Sequence, residues 1–588
     1  MTREEKIRDR WRRLRAGASG PAKLAGLEET VRAHVRPGDT LYFGGSMARP
    51  NAAMFEMARA FWGRRPEFTI AAPAIANQHA PLVRGALVKK FIASIHAYTF
   101  PSPAPHPVYV EAARKGTVEF EDWSLLTLTQ RLMAGAMGLP FMPTRSMADT
   151  DLGRRLAADG KFAEIADPFG GGNVPVVAAF NPDVTFVHGL AADIEGNTIV
   201  SPPLYDDKWA AFAAKRAVIV TVERIVDAEF IRRHAALVQV PGRMVTSVSE
   251  VPLGGHPNSL PGDLVPEIGG YPDDYEFLEE LRAAGGSNEA LDRWIETWLT
   301  GCVDHWDYLE KLGETRIHAL RGRARDDGWQ FELRHLAKLR QGQPATEAER
   351  HVVLATRHLA RRLEAGAIDA ILAGLGISSL AAWMAALRLQ ENGTQIPLMV
   401  EAGMFGYLPA PADPFLFNYR NMFSGTMLSD VVTTLGVLTA GPRNRAIGVL
   451  GAAQIDRHGN LNTNYLPGML LTGSGGGNDI ASGASDVFVT VAHSPKRLVD
   501  KIDFVTSPGR AVNTIVTPLG VLQRHGGEYR LTHVLARGGT GKADLIAAAQ
   551  AGCGWKLPVA DNVSIEPEPT TDEIETARLL DPKGYFLG

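Results

Sequence analysis

The stretch "GDTLYFGGSMARPNAAM" (Gly38–Met54) lies without a gap over "IDAILAGLGISSLAAWM" (Ile368–Met384), matching Asp39 with Asp369, Gly44 with Gly374 and Ala52 with Ala382. Each copy reads as a strand, a glycine turn and a helix. A second pair follows: "NPDVTFVHGLAADIEGN" (Asn181–Asn197) lies over "NRAIGVLGAAQIDRHGN" (Asn444–Asn460), keeping Asn, Asp and Gly-Asn in register. Both continue toward β-branched runs, "RAVIVTVERIV" (Arg216–Val226) and "DVFVTVAHSPKRLV" (Asp486–Val499). Repetition at several points predicts two homologous α/β domains in one chain. Short β-branched runs alternating with Ala/Leu-rich stretches predict parallel strands covered by helices, with ligands at the carboxyl ends of the strands.

The copies differ in length between anchors: Asp39 to Asp193 is 154 positions, whereas Asp369 to Asp456 is 87. The additional material includes "NQHAPLVRGALVKKFIASIHAYTFPSPAPHP" (Asn77–Pro107), which is expected to shape a substrate pocket or a subunit contact. The polar segment "RHLAKLRQGQPATEAER" (Arg334–Arg350), broken by Gln341, Gly342, Gln343 and Pro344, marks the junction. The expected domains are therefore 1–335 and 345–588.

Composition narrows the function. Lys+Arg 61 against Asp+Glu 65 gives a formal charge of -4, so no overall basic field draws nucleic acid or anionic lipid, and a small-molecule substrate is expected. Two cysteines, Cys302 and Cys553, provide neither a disulfide framework nor a cysteine-rich zinc site, in keeping with a reducing cytoplasm. The N-terminal "MTREEKIRDRWRRLRAG" is charged throughout and reads as an exposed helix rather than a secretory signal. Nowhere do about 18 to 20 apolar residues run together, so no membrane span is expected.

The sixteen histidines form no HExxH pair or other ligand spacing, and no metal is expected. No G-x-S-x-G elbow announces a serine nucleophile, and "ARGGTGKAD" has Ala536 where a phosphate-binding loop needs its first glycine. The glycine cluster "TGSGGGNDIASGA" (Thr472–Ala484) reads either as a surface loop or as an ordered turn. The Asn478-Asp479 pair and the strand that follow favour the turn, whose N–H groups can approach a ligand oxygen. Among carboxylates, Glu401 in "PLMVEAGMFGYLP" (Pro397–Pro409) ends an apolar strand just before a turn. A carboxylate there must be neutralised, paired or used. Glu391 in "LQENG" is a decoy: it follows a helical run and precedes the strand, in a solvated loop.

The order "GLGISSL", "VEAGMFG", "GNLNTNYLPG" and "GSGGGNDIASGASDVFVTVAHSPKRLV" resembles the β-type half of the family I coenzyme A transferases. "EFEDWSLLTLTQRLMAGAMGLPFMPTRS" (Glu119–Ser146) and "EGNTIV" (Glu195–Val200) resemble the α-type half of its glutaconate transferase-like branch. The resemblance implies two open α/β domains of the NagB/RpiA-like type, an α-type 1–335 and a β-type 345–588. It implies transfer of coenzyme A from an acyl-CoA to a carboxylic acid, with Glu401 as nucleophile in Val-Glu-Ala-Gly where the family has a Ser-Glu-Asn-Gly-like motif. Val400 and Ala402 depart from that motif and remove two polar neighbours.

By the same resemblance the oxyanion and CoA-binding donors are Gly374 and Gly376 of one turn and Gly475, Gly476 and Gly477 of another. Coenzyme A is a substrate, with no permanently bound cofactor. A homodimer or homotetramer is implied. Similar proteins use the same cleft for hydrolysis, carbon–carbon cleavage or decarboxylation of CoA esters, and for such chemistry Glu121 is the candidate base. A ligand-binding regulator on a sugar-isomerase-like fold is the third reading. Arg49 and Arg145, each beside an expected strand-end loop, are candidates for a second substrate carboxylate or for surface ion pairs.

Overall fold

A computed structural model describes residues 2–16, 21–45, 47–97, 104–336, 338–443 and 445–588. Two large sheets organise it. In the first, seven strands run parallel in the spatial order Glu119–Asp122, Val88–Ala93, Phe68–Ala71, Thr40–Phe43, Val184–Ala192, Ala217–Ile225 and Ser247–Glu250. In the second, Leu398–Val400, Ala370–Ala373, Ala446–Gly451, Asp486–Thr490 and Val512–Thr517 run parallel in that order, and antiparallel hairpins extend both edges. The parallel strands are nearly all buried, as strands covered on both faces must be.

The two sheets share one plan. Strand 40–43 lies between 68–71 and 184–192, as 370–373 lies between 398–400 and 446–451. The registers agree with the sequence repeat: Leu41 opposes Val184, and Ile371 opposes Ile447. The loops after 184–192 and 446–451 agree atom for atom. Asp193 Oδ1 accepts from the Glu195 and Asn197 amides at 3.1 and 2.9 Å, and Asp456 Oδ1 from the His458 and Asn460 amides at 2.9 and 3.0 Å. Asn197 Oδ1 then accepts from the Gly242 amide and Asn460 Oδ1 from the Gly509 amide, at 2.8 and 2.9 Å. Gly196 and Gly459 close these turns at φ +88° and +86°, conformations that a Cβ opposes. The Asn444 anchor of this repeat lies outside the described residues.

The longer spacing of the first copy is accounted for by strands Val88–Ala93 and Glu119–Asp122, helix Leu125–Ala136 and a small antiparallel sheet of Phe141–Pro143, Asn173–Ala178 and Phe162–Ala166. Residues 341–344 connect helices Trp329–Leu336 and Glu347–Glu364. The charged N-terminus forms the exposed helix Arg3–Ala16. Among the described residues no helix is long and apolar enough to cross a membrane.

The two halves share hydrophobic core: Met47, Ala76, Leu125, Leu126 and Tyr205 of the first pack with Leu435, Val400 and Leu450 of the second in one cluster. The Lys208–Asp430 ion pair, at 2.7 Å, also joins them. Because each Asp-centred turn relies on one carboxylate for several amides, Asp193→Ala and Asp456→Ala should each destabilise by about 1.5–3 kcal/mol. Urea unfolding should show losses of similar size; an effect confined to one turn would contradict their structural equivalence.

Candidate active site

Glu401 stands at the carboxyl end of strand Leu398–Val400, beside the point where strand order reverses between 370–373 and 446–451. Clefts open at such points because the connections leave in opposite directions. The register places Pro73, at the tip of strand 68–71, as the first-half counterpart of Glu401. Both tips border one cleft of about 540 Å³, open solvent at its mouth included. Ser94, Ile95 and Leu125 from the first half and Glu401, Phe415 and Phe417 from the second line it. The inserted segment 77–107 therefore does shape the cleft, through Ser94, Ile95 and Ala97; its residues 98–103 lie outside the described residues.

The glycine cluster is an ordered turn that meets Glu401. The Gly476 N–H donates to Glu401 Oε2 at 2.9 Å, and Oε1 makes no hydrogen bond among the described residues. A Cβ on Gly476 would stand 2.2 Å from Oε2, so glycine is required for this contact. Gly475 sits at φ +51°, and a Cβ there would crowd Ile95 Cδ1 at 3.0 Å. The loop is held by the first half: Gly475 N–H donates to the Ser94 carbonyl at 3.0 Å, its carbonyl accepts from Leu125 N–H at 3.0 Å, and His96 N–H donates to the Thr472 carbonyl at 2.7 Å. Gly477 opens the helix Gly477–Gly483.

Glu401's backbone is fixed from behind by Thr434, whose hydroxyl donates to the Glu401 carbonyl at 2.8 Å. Burial pushes the Glu401 carboxyl up to about 7, the neighbouring Asp479 adds to this, and the Gly476 hydrogen bond opposes it. Asp479 is itself raised by burial, to about 6, against the hydrogen bonds it receives. Those include Ser124 Oγ at 2.6 Å and Leu126 N–H at 3.0 Å, both at the start of helix Leu125–Ala136 in the first half. The residue pair Asn478-Asp479 thus works across the interface, since Asn478 Oδ1 likewise accepts from Met147 N–H at 2.8 Å.

The other sequence candidates separate. Arg49 lines the cleft, and its Nη1 is buried with no hydrogen-bond partner among the described residues. Next to it Asn258 Nδ2 donates to Asp273 Oδ1 at 3.3 Å, and both side chains line the cleft. Gly374 and Gly376 lie one strand over and are not part of the lining. A Cβ on Gly374 would stand 2.4 Å from the Val449 carbonyl, and Gly376 adopts φ +72° beside Phe586. Their glycines are explained by the turn itself.

Three expectations need correction. Glu121 is no free base: it is buried and bonded to Lys161 and Lys90, each at 2.6 Å, and to Trp123 Nε1 at 2.8 Å. Burial raises its carboxyl, but these partners outweigh burial and hold it at about 2. Arg145 is exposed and donates to the Ala440 carbonyl at 3.1 Å, which turns it to the outer seam of the halves and away from the cleft. Glu391, the decoy, is the exposed last residue of helix Ile377–Glu391 rather than a loop residue.

One cluster away from the cleft has the makings of a metal site: His358, His533 and Glu566 bring ligand atoms within 4.8 Å of one another. The Arg361 guanidinium already occupies it, meeting Glu566 Oε1 and Oε2 at 2.5 and 3.0 Å. The chain supplies its own cation there.

Sequence reading misses Ser94, Tyr205, Asn258, Asp273, Phe415 and Phe417, whose only shared property is proximity in the fold. Tyr205 reaches the cleft through a left-handed backbone, φ +47°, pinned by its amide to the Ala402 carbonyl at 3.3 Å.

The raised Glu401 carboxyl has a sign that stability measurements can read. The folded state keeps the proton up to about 7, whereas an unfolded glutamate releases it near about 4.3, so this group's contribution to stability falls as pH rises across that window. Glu401→Gln removes the titration and keeps the size. Its melting temperature should match the wild type's at pH 4 and exceed it at pH 8; a constant difference would contradict a raised carboxyl.

The coenzyme A transferase family model matches residues 25–251 and 358–524, more than half of the chain and both sheets. One subunit of the glutaconate CoA-transferase from Acidaminococcus fermentans is 28% identical over 313 residues, covering 50% of this chain and 93% of its own length. An uncharacterized protein of Archaeoglobus fulgidus is 35% identical over 201 residues, 34% of this chain and 42% of that protein. An acyl-CoA transferase of E. coli O157:H7, solved as a thioester complex with CoA, shares the fold with a TM-score of 0.63 over 93% of this chain and 95% of that one, at 15% identity. With a family model spanning both sheets and a carboxylate-and-glycine cleft between them, the chain belongs to the coenzyme A transferase family.

Proposed function

We propose that the protein transfers coenzyme A between an acyl-CoA and a carboxylic acid through covalent intermediates on Glu401. The observation that carries this reading is the Gly476 N–H at 2.9 Å from Glu401 Oε2, inside a cleft that both halves enclose. One carboxylate oxygen is held by a backbone donor and the other is left without one, as a nucleophile requires.

In the first step Glu401 attacks the thioester carbonyl carbon, the C–S bond breaks, and coenzyme A leaves as thiolate with an acyl-glutamyl anhydride behind it. The thiolate then attacks the glutamyl carbon, the anhydride C–O bond breaks, and the first acid departs, leaving coenzyme A as a thioester on Glu401. An acceptor carboxylate runs the same steps in reverse, so the thioester energy is conserved and the kinetics are ping-pong. When the glutamyl carbon is attacked, negative charge develops on its oxygen, and the Gly476 donor is already within the about 2.7–3.1 Å such stabilisation needs. Gly475 and Gly477 shape that loop, and Gly374 and Gly376 are assigned to the wall along which coenzyme A approaches.

Domains 1–335 and 345–588 are the units that enclose the cleft in this reading, and the assembly proposed is a homodimer or homotetramer in the cytoplasm. Both cysteines are buried free thiols, which a reducing compartment preserves. General-base hydrolysis or decarboxylation is disfavoured by the ion pairs that occupy Glu121.

Glu401→Ala should abolish transfer, whereas Glu391→Ala should leave it nearly intact. Incubation with acyl-CoA and no acceptor should build up a glutamyl-CoA adduct, seen by intact mass and cleaved by hydroxylamine. Turnover of acyl-CoA without an acceptor and without an adduct would favour hydrolysis instead.

Arg49 is proposed to receive a second carboxylate on the acid, because a guanidinium that lines the cleft with a buried, unbonded Nη1 is a ready donor to one. Arg49→Ala should raise KM for dicarboxylic acceptors by about tenfold or more and leave KM for monocarboxylic acceptors little changed. Equal changes for the two classes would remove this role.

A further inference from the structure

The segment "EFEDWS" (Glu119–Ser124) holds two neighbouring acids with different partners. Strand Glu119–Asp122 turns Glu121 to one face and Asp122 to the other, since successive side chains of a strand alternate. Glu121 is taken up by Lys90 and Lys161. Asp122, equally buried, meets the place where the glycine loop enters the first half. Its two oxygens reach the two sides of that entry. Oδ1 lies 3.1 Å from His96 Nε2, in the first half, and Oδ2 accepts from the hydroxyl of Tyr465, in the second. The Arg155 guanidinium closes the group, 3.8 Å from Oδ2 and 4.8 Å over the Tyr465 ring, which stands edge-on to Phe504 at 5.2 Å.

Both partners of Asp122 are joined by short backbone to the loop that presents Gly476. Residues 94–96 pair with it as an antiparallel strand would: His96 N–H donates to the Thr472 carbonyl at 2.7 Å, Gly475 N–H donates to the Ser94 carbonyl at 3.0 Å, and Ile95 faces Gly473 between them. A Cβ on Gly473 would stand 2.5 Å from the Ser94 carbonyl oxygen, so the two backbones are as close as a glycine permits. On the other side Tyr465 opens the hairpin of Tyr465–Leu466 and Met469–Leu470, whose Leu470 is buried in the core of the first half. Leu471 N–H donates to the Asn464 carbonyl at 2.8 Å and Gly473 N–H to the Thr463 carbonyl at 3.0 Å, so the hairpin runs directly into the glycine loop.

A buried carboxylate is costly unless it is paired, and here each oxygen meets a group on one of the two backbones that fix Gly476. That makes it a clamp on the donor rather than on either half alone. We infer that Asp122 is a positioning residue for the transfer reaction, holding His96 and Tyr465 so that the Gly476 N–H stays on Glu401. Within "EFEDWS" the acid that bears on the chemistry through the glycine loop is then Asp122, not Glu121. The inference rests on the Glu401 reading for the chemistry, but the clamp on the loop can be measured without it.

The test compares the wild type with Asp122→Ala, Tyr465→Phe and the double variant. Tyr465→Phe removes one hydroxyl and keeps the ring on Phe504, so it should fold even where Asp122→Ala does not. Hydrogen exchange read by mass spectrometry follows the amides of residues 472–477. Single-turnover mixing with acyl-CoA, read by intact mass, gives the rate of adduct formation on Glu401, and steady-state transfer gives KM for acyl-CoA. Each variant should show selectively faster exchange in 472–477 and an adduct rate lower by about tenfold or more, short of the loss of about 100- to 1,000-fold for a whole oxyanion donor, with KM within about threefold of the wild type's. The double variant should be no slower than Asp122→Ala, because both substitutions open the same clamp. Exchange and rate both unchanged overturn the inference, as does a double variant whose loss is the product of the single losses. A lower melting temperature, or faster exchange anywhere in the chain, with the adduct rate kept marks a structural residue and overturns it too. Should the wild type form no adduct, the Glu401 reading fails, while selectively faster exchange in 472–477 still upholds the clamp and its absence still overturns it.

Discussion

The hydrogen bond from the Gly476 amide to the Glu401 carboxylate is the contact on which the site depends. It exists only because position 476 carries no Cβ, and because the loop that presents it is held by the other half of the chain. Three backbone hydrogen bonds, from Gly475 and His96 and to Gly475, tie the loop to the ends of first-half elements. The carboxylate belongs to one sheet and the placement of its donor to the other, so neither half alone builds the site.

The same arrangement sets the charge of the site. Glu401 is raised by burial and by Asp479, and Asp479 is kept in place by the amide and hydroxyl at the start of a first-half helix. A carboxylate surrounded this way is less stable as an anion than one in water, and a less solvated anion is a better nucleophile. The fold carries this destabilisation because hydrogen bonds from both halves fix Asp479 and the backbone and one carboxylate oxygen of Glu401. Thr434 behind Glu401 and Ser124 behind Asp479 are part of that support.

How much of this is legible in the sequence follows from the range of each interaction. The repeat is legible, because gapless matches such as Asp193 with Asp456 reflect turns whose hydrogen bonds are local in sequence. Glu401 is legible for the same reason: a charge at the end of an apolar run is a local anomaly, and the family resemblance adds its role. The glycine cluster is legible from its own residues as an ordered turn, and only the family resemblance directs it to Glu401, since that partner lies 75 positions away. Glu121 misleads because "EFEDWS" shows the acid and hides the lysines that neutralise it, Lys90 and Lys161, which arrive through strand pairing and the small sheet. Arg145 misleads likewise, as its loop lies near the seam but its side chain turns outward. The rest of the cleft, Asn258, Asp273 and Phe415 among it, carries no local signature, because lining residues are chosen by where distant loops meet.

The pseudo-symmetry is broken where the chemistry sits. Pro73 occupies in the first sheet the place that Glu401 occupies in the second, so one strand tip supplies a nucleophile and its counterpart supplies an inert wall. A second carboxylate at that tip would compete with Glu401 for its charge, adding to the rise that burial and Asp479 already give it. Proline removes that conflict, and its carbonyl still accepts from Ser94 Oγ at 2.6 Å, which anchors the strand end that carries Ile95 against Gly475. Joining both halves in one chain makes their encounter intramolecular, so the site assembles at an effective concentration fixed by the connection between them rather than by the amount of protein present.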